Sequence, residues 1–265
     1  MKKLFMVLAA TLICGACVFT SCKKQDNLKL EEKIIGKWME AEFDGQAVLT
    51  NDKTVMTFVS STKAIGSESR VDFTPTALRW NSFLEFDVQI NGNKITLTGH
   101  PNDSITLVKE YNITAIDDAQ MSANFKHTTF LYGDTVYFVE QNNRFVKVAA
   151  DYKDAVLGLW ECQELTGIET YNDANARLEF FADGNYNYWR KNEAGEWEAV
   201  TDREFQNYFV DGTLLATRWK NPGEDELREW WEIASLANDE MQWTALRQNE
   251  DGTTAQQGMR WVKVD

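Results

Sequence analysis

The chain has 265 residues, which is enough for one large domain or two of modest size. Its formal net charge is −14. Binding to a nucleic-acid backbone requires a basic face that releases counterions, so this acidic composition argues against nucleic acid as a partner.

The N-terminus has the pattern of a secretory signal: Lys2 and Lys3, an apolar run from Leu4 to Phe19, then small residues before Cys22. At about 16 residues the run is shorter than the roughly 20 that a membrane-spanning helix needs. Thr20-Ser21-Cys22 with lysines behind it resembles the lipobox of bacterial lipoproteins, particularly those of Bacteroides-like organisms. The resemblance implies a signal peptide over residues 1–21 and a lipidated, palmitate-bearing Cys22, with Cys17 as a competing site.

This resemblance also implies localisation. The protein is expected to be exported and anchored by its lipid to the cell envelope, in the outer membrane. The sequence does not distinguish the periplasmic face of that membrane from its outer surface. Residues 22–33 form the predicted tether. Once the leader is removed, Cys162 is the only other cysteine, so no disulfide is expected and Cys162 is predicted to pack as a small hydrophobe on a strand.

Beyond the tether the chain alternates apolar and polar residues and carries turn dipeptides at regular intervals. Such alternation predicts strands with one buried and one solvated face. An Asn or Asp followed by Gly, with alternating residues on both sides, predicts a β-hairpin with a type I′ turn. The chain has four such pairs: Asn91-Gly92, Asp183-Gly184, Asp211-Gly212 and Asp251-Gly252. The fold is therefore predicted to be a succession of hairpins.

The sequence repeats itself. IIGKW at residues 34–38 returns as VLGLW at 156–160, and further pairs follow in the same order: 55–61 with 177–183, 90–98 with 210–218, 116–125 with 236–246, and 144–148 with 259–264. The conserved order indicates a tandem duplication. The predicted modules are residues 34–148 and 156–265, joined by a linker at 149–155.

Each copy has enough short strands to close into a barrel, which removes exposed sheet edges. A Gly-x-Trp on the first strand with an arginine on the last is similar to the pairing in lipocalins and their relatives, in which the arginine lies over the tryptophan at the closed end. The resemblance implies an all-β fold of two consecutive antiparallel lipocalin-like (calycin-type) β-barrels. It assigns a structural, barrel-closing role to Gly36, Trp38 and Arg144 in the first copy and to Gly158, Trp160 and Arg260 in the second.

Residues suited to catalysis or metal binding are sparse. The two histidines, His100 and His127, have no plausible spacing to further zinc ligands, and no Gly-x-Ser-x-Gly nucleophile elbow occurs. We therefore expect no catalytic residues, no metal site and no cofactor.

The two copies differ in charge and aromatic content. Residues 150–265 contain 24 acids and 11 bases, against 17 and 14 in residues 23–149, and hold eight of the ten tryptophans. On a strand, adjacent Trp230 and Trp231 point to opposite faces, and Tyr186 and Tyr188 share the face that Trp189 does not. The candidate ligand-binding residues are Tyr186, Tyr188, Trp189, Trp230, Trp231 and Trp243.

Two functions fit this pattern. One is a membrane-anchored, non-enzymatic lipoprotein whose barrels bind a small apolar or amphipathic ligand. The other is an accessory surface lipoprotein that binds a glycan or a protein through exposed tryptophans of the second module. Packing of these rings in the interior or between the modules is the structural alternative to both.

Overall fold

The computed structural model describes residues 29–67, 83–168 and 176–264. The predicted signal peptide, Cys17, Cys22 and most of the tether lie outside these residues. The described part consists almost entirely of β-strands, together with a short α-helix α1 (Leu30–Lys33) and a 3-10 helix (Thr50–Asp52). No helix in these ranges combines the length and the hydropathy needed to cross a membrane.

The first sheet is a closed antiparallel barrel. Its strands pair in the order β2-β1-β3-β4-β5-β6-β7-β8-β9, and the last strand returns to pair with β1, where Glu40 lies opposite Phe145. A buried cluster around Trp38, Phe86 and Tyr111 fills its interior. The strands are β1 (Gly36–Phe43), β2 (Gln46–Ala47), β3 (Val55–Phe58), β4 (Lys63–Ser67), β5 (Leu84–Asn91), β6 (Lys94–Asn102), β7 (Ile105–Ile116), β8 (Gln120–Leu131) and β9 (Asp134–Lys147).

The second sheet repeats this arrangement but stops short of full closure. Its strand order is β13-β12-β11-β10-β18-β17-β16-β15-β14, so β13 and β14 are its two edges. A single bridge, Asn185 to Asn207, connects the two sides of this seam. The strands are β10 (Gly158–Thr166), β11 (Ala176–Phe180), β12 (Tyr186–Lys191), β13 (Trp197–Ala199), β14 (Phe205–Asp211), β15 (Leu214–Lys220), β16 (Leu227–Ala237), β17 (Glu240–Gln248) and β18 (Thr254–Val264).

The predicted fold class is confirmed: the chain is all-β, with one closed antiparallel barrel and one strongly curled sheet. The two modules also share irregularities in the pairing of their β-strands. The register shifts after Glu40 in β1 and after Cys162 in β10, and again after Ile113 in β7 and after Ile233 in β16. A β-bulge is a specific local feature, so its recurrence at equivalent positions supports a shared ancestral module.

The predicted hairpins form, but their turns differ from the predicted type. Gly92 and Gly212 have positive φ, at 59° and 64°, and the residue that follows each does not. A type I′ turn needs positive φ at both central residues, whereas type II′ needs it only at the first. Turns with both central residues at positive φ occur instead at Asp44-Gly45, Tyr132-Gly133 and Asn238-Asp239.

The cation over each barrel-closing tryptophan is a lysine, which corrects the predicted arginine. Lys147 Nζ lies 5.1 Å from the centre of the Trp38 ring, and Lys263 Nζ lies 5.4 Å from that of Trp160. Strand alternation gives the reason. Lys147 shares the inner face of β9 with buried Phe145, so Arg144 points outward.

The outward arginines bind carboxylates instead. Arg144 pairs with Glu42, the residue opposite it on β1. In the second module Arg260 lies 3.4 Å from both Glu164 and Glu240. Both arginines therefore lie on the outer surface, and the lysines cover the tryptophans at the closed end.

The two glycines make room for these lysines. Gly36 has φ 121° and Gly158 has φ 110°, a region that L side chains rarely adopt. A Cβ at Gly36 would lie 3.0 Å from Lys147 Cε, so the glycine admits the lysine stem. Each indole N–H then donates to the start of its own module: Trp38 to the Ile34 carbonyl and Trp160 to the Val156 carbonyl, both at 2.7 Å.

The two sheets contact each other through a partly buried polar and apolar interface. Asp211 at the end of β14 is 4% exposed, and its carboxylate accepts hydrogen bonds from Lys37 and Ser67 of the first module. Lys53 pairs with Glu232 at 2.6 Å. Around these contacts Leu214 packs with Met39 and Val55 in a separate small core.

We predict that Lys147→Met destabilises the first module by about 1 kcal/mol, because the methionine keeps the stem but loses the cation–π attraction to Trp38. Arg144→Met, three residues earlier on the outer face, is the matched control and should change stability little because its ion pair is exposed. Urea unfolding of both variants measures this. An equal effect of the two substitutions would contradict the assignment of the lysine.

We predict that Asp211→Asn costs about 2 kcal/mol, since a hydrogen bond to a charged group contributes about 1.5–3 kcal/mol. The loss falls on the interface, so calorimetry should show the unfolding of the two modules separating into two transitions. Asp87→Asn, which removes an exposed pair with Lys63 on the first barrel, is the control. A single unshifted transition in Asp211→Asn would show that the contact does not couple the modules.

Candidate binding site

The inner face of the second sheet gathers four of the six predicted ligand-binding residues. Tyr186, Trp231 and Trp243 are each less than 5% exposed and belong to one buried cluster, against which Tyr188 packs. Tyr186 and Tyr188 share one face of β12, as the sequence predicted, and burial of the cluster shows that this face is the inner one. We call this set the aromatic interior of the second module.

Three tryptophans form the floor of the aromatic interior. The ring centres of Trp231 and Trp243 are 5.8 Å apart, and those of Trp243 and Trp261 are 4.7 Å apart. These separations and the tilted geometry are typical of favourable aromatic pairs. Trp261, which the sequence analysis did not include, is thus the third member of the floor.

The remaining two predicted residues lie on the outer face. Trp189 is opposite Ala199 of β13, and Trp230 is on the same face of β16 as Glu232, which binds Lys53. Neither ring is exposed; both are half-buried. The alternative function relied on exposed tryptophans, whereas the large apolar side chains that are more than half exposed are Val59 and, on the β8–β9 hairpin, Tyr132, Val136 and Phe138.

Arg203 spans the seam between the two edges of the second sheet. It belongs to the connection between β13 and β14, and its guanidinium lies over the Tyr188 ring of β12 and the Trp219 ring of β15, at 5.0 and 5.2 Å. Its Nη1 donates to the Gln206 side chain at 3.0 Å. The guanidinium is therefore held by two aromatic faces where the ladder is interrupted.

Arg247 and Glu229 add charge at the same end of the interior. Arg247 lies 5.0 Å from the centre of the Trp231 ring and donates to the Trp230 carbonyl. Glu229 precedes Trp231 by two residues and so shares its inward face. Leu227, two residues further toward the strand end, is 45% exposed, so this charged layer lies near the open end of the sheet.

Burial shifts the pKa values of these groups. It raises the pKa of Glu229, and the Arg247 charge and the Trp231 indole offset this only in part. Burial likewise lowers the pKa of Arg247, with Glu229 opposing the shift. For Tyr186, burial raises the pKa, against the nearby Arg203 charge. The shifts share one cause: an interior that water reaches poorly.

Several donors of this region have no acceptor. The indole N–H groups of Trp243 and Trp261 and the Nε–H of Arg203 are buried without a hydrogen-bond partner. An unsatisfied buried donor costs about 1–3 kcal/mol, and native proteins carry few of them. Two of these donors, on Trp243 and Trp261, lie on one inner face, where an acceptor from outside the chain would satisfy them; the Trp189 indole N–H on the outer face also has no partner.

The first barrel has a charged layer at the equivalent level. Lys109 of β7 lies opposite His127 of β8, two residues along each strand from the Tyr111–Phe125 pair. Lys109 is 5% exposed, and its ammonium lies 5.5 Å from the centre of the Phe86 ring. The duplicated modules thus place ionisable side chains at the same position above an aromatic layer, with Lys109 and His127 in one and Glu229 and Arg247 in the other.

The sequence analysis missed Arg203, Glu229 and Arg247. Glu229 and Arg247 could have been found from period-2 alternation. Glu229 lies on the same face of its strand as Trp231, and Arg247 lies on the same face of its strand as Trp243. Arg203 gave no such signal, since it lies on a connection rather than a strand.

Cys162 is buried on β10 among these residues, and burial raises the pKa of its thiol to about 11. It is therefore an inert core residue, as predicted, rather than a nucleophile. Within residues 29–67, 83–168 and 176–264, no group of three or more histidines, cysteines or acids is arranged to hold a metal ion.

Comparison with known proteins gives no family assignment. No protein-family model and no curated protein sequence matches the chain. Among solved structures it is similar to two mutant forms of the vaccine antigen Transferrin Binding Protein B from Haemophilus parasuis Hp5, at 9% and 8% sequence identity, each with a TM-score of 0.22. Each match covers 83% of this chain and 61% of the other, so this chain spans less than two thirds of that protein.

We predict that Glu229→Gln weakens the pH dependence of stability. In the folded protein Glu229 keeps its proton above the ordinary glutamate pKa of 4.5, where the unfolded chain has lost it. The unfolded state then binds fewer protons, so stability falls as the pH rises through this window, by about 1.4 kcal/mol for each unit by which the pKa is raised.

The measurement is urea unfolding of the wild type and the variant from pH 4 to pH 8. Glu229→Gln should gain stability relative to the wild type as the pH rises. Glu250→Gln, at the exposed β17–β18 turn, removes the same charge from the surface and should show no such trend. Parallel profiles for the wild type and Glu229→Gln would contradict the prediction.

Proposed function

We propose that this chain is an exported, lipid-anchored binding protein without catalytic activity, and that it holds a small amphipathic ligand on the inner face of the second module. One observation carries the proposal: buried donors without acceptors, on Trp243, Trp261 and Arg203, occur together with stacked aromatic rings. Ligand sites combine a mostly apolar lining with a few polar groups of this kind.

The seam supports the same function. In a fully closed ladder the strand edges would be hydrogen-bonded to each other, whereas here β13 and β14 are edges. The far end of the seam is held by the Asn185–Asn207 bridge and by Tyr208 N–H donating to the Gly184 carbonyl at 2.8 Å. The end near Arg203 has side-chain contacts in place of a ladder, so a ligand can enter there with the smallest loss of backbone hydrogen bonds.

The lipid anchor rests on the N-terminal sequence. The described fold begins at Lys29, and every strand lies beyond residue 35, so a lipid on Cys22 would leave a short polar segment between membrane and barrel. The segment includes Lys23, Lys24 and Asp26. Such a tether fits attachment to the envelope with both modules outside the bilayer.

A second candidate function is the binding of a protein partner at the surface. It is favoured by a specific observation on the first module, where Tyr132, Val136 and Phe138 are 82%, 51% and 55% exposed on one hairpin. An apolar group of this kind is typical of a protein contact. In this candidate the β8–β9 hairpin takes the place that the sequence analysis gave to the tryptophans.

The test is native mass spectrometry of the chain from Lys23 onward, which retains every described strand, after incubation with lipid and glycan extracts. We expect a retained small-molecule mass on the wild type. Tyr188→Ala should lower the occupancy at least about ten-fold, because it removes an inner wall of the site.

Trp197→Ala is the matched control, because that ring lies on the outer face beneath the Arg177 guanidinium, 4.2 Å from its centre. It should retain the ligand. A clean mass without any adduct in every extract would contradict the proposal. It would leave the exposed β8–β9 hairpin as the place to seek a partner.

A further inference from the structure

We infer that the ligand of the second module is an organic anion, with one acidic head group on a flat aromatic body, bound by the guanidinium groups of Arg203 and Arg247 at the open end of the aromatic interior. This inference rests on the proposed function and names the class of ligand.

The two inner arginines differ in their partners from four of the five outer arginines of their module. Four arginines of the second sheet form ion pairs with carboxylates: Arg177 with Glu161, Arg218 and Arg228 with Glu226, and Arg260 with Glu164 and Glu240. In the described residues, Arg203 donates to the Gln206 amide oxygen and also interacts with the Tyr186 hydroxyl, and Arg247 donates to the Trp230 carbonyl, with Glu229 as the acid that acts on it.

This difference is unexpected in a module with 24 acids and 11 bases. A surface arginine in such a composition finds a carboxylate easily, as the four outer ones do. Arg203 and Arg247 keep their charge on the inside, where burial makes a cation costly unless a counter-charge lies beside it, and the acid whose charge acts on Arg247 is Glu229. A bound anion would supply a counter-charge to Arg203, and to Arg247 whenever Glu229 carries its proton.

The aromatic faces hold the guanidinium groups in an orientation that suits an anion. Arg203 is stacked on Tyr188 and Trp219, and Arg247 on Trp231. A guanidinium stacked by its plane keeps the N–H groups of its edge available, and these match the paired oxygens of a carboxylate, sulfonate or phosphate. The unsatisfied Nε–H of Arg203 is one such group.

Among the residues that the structure describes, Glu229 is the acid that shares this inner layer with Arg247, and as a carboxylate it would repel an anion. Burial raises the pKa of Glu229, which favours its neutral form. A carboxyl in that form donates a hydrogen bond rather than repelling a negative oxygen. The group nearest to the site is thus compatible with an acidic ligand.

The aromatic part of the ligand is inferred from the three tryptophans that form the floor below Arg247 and Glu229. Trp231, Trp243 and Trp261 lie at the spacing of aromatic pairs and are each at most 3% exposed, so the ring of a ligand would have to enter between rings that already cover one another. A flat ring gains more from such a surface than a flexible alkyl chain, because offset and edge-on ring contacts add to the apolar burial. The indole N–H groups of Trp243 and Trp261 remain available for a polar substituent.

The test uses two fluorescent ligands with the same ring system, 8-anilino-1-naphthalenesulfonate and N-phenyl-1-naphthylamine, which differ by the sulfonate group. We expect the wild type to bind the sulfonate at least about ten-fold more tightly than the neutral amine. The double variant Arg203→Gln, Arg247→Gln should lose that advantage and bind both ligands alike.

Two controls separate the site from general charge effects. Arg177→Gln removes the same charge on the outer face and should leave the sulfonate affinity within about two-fold of the wild type. Arg203→Lys keeps the charge without the stacked planar group and should retain part of the affinity that Arg203→Gln loses. Near-ultraviolet circular dichroism verifies that each variant keeps its packed aromatic interior.

A measurement on the wild type alone covers the case of variants that fail to fold. Raising the salt from about 0.05 M to about 0.5 M should weaken sulfonate binding and leave amine binding unchanged, because only the charged ligand is screened. Equal affinity for the two ligands, or sulfonate binding that neither salt nor the double variant affects, would overturn the anion while leaving the proposed binding function intact. Failure of both ligands to bind would overturn the anion and the proposed function together.

Discussion

Both modules depend on pairing between the first and the last strand of each copy. Residues more than 100 positions apart meet there, Trp38 opposite Lys147 and Trp160 opposite Lys263. The pairing places a lysine ammonium over each indole and brings the indole N–H to the carbonyl that precedes the strand. The rest of each sheet is built from local hairpins, so this long-range contact is what turns a series of hairpins into a curled sheet with an inside.

Once that inside exists, alternation determines its chemistry. In both copies the closed end is apolar and aromatic, and a pair of ionisable side chains lies further along the same strands: Lys109 with His127 in the first, Glu229 with Arg247 in the second. The second copy then diverges by leaving its β13 and β14 edges unjoined. Arg203 from the connection lies over this seam, and the interior becomes both aromatic and cationic within a strongly acidic module.

The errors of the sequence reading have a common origin. An arginine and a lysine three residues apart occur near the end of each copy, and either could cover the tryptophan. The face of the strand on which each residue lies decides between them, and Lys147 shares its face with buried Phe145. The choice between exposed tryptophans and tryptophans packed between the modules, which the sequence left open, depends on a related point: outward from a sheet is not the same as exposed. Trp230 lies on the face of β16 that contacts the first module through Glu232 and Lys53.

The sequence by itself determined the strands, the hairpin positions, the duplication and the inner placement of Tyr186, Tyr188, Trp231 and Trp243. All of these follow from local dihedral preferences and from a side-chain period of two. Only the tertiary structure decided which cation closes each barrel, that the second sheet keeps a seam, and that Arg203 joins Arg247 in its interior. These features depend on register between distant strands and on the course of a connection, and neither is encoded in the pattern of any single segment.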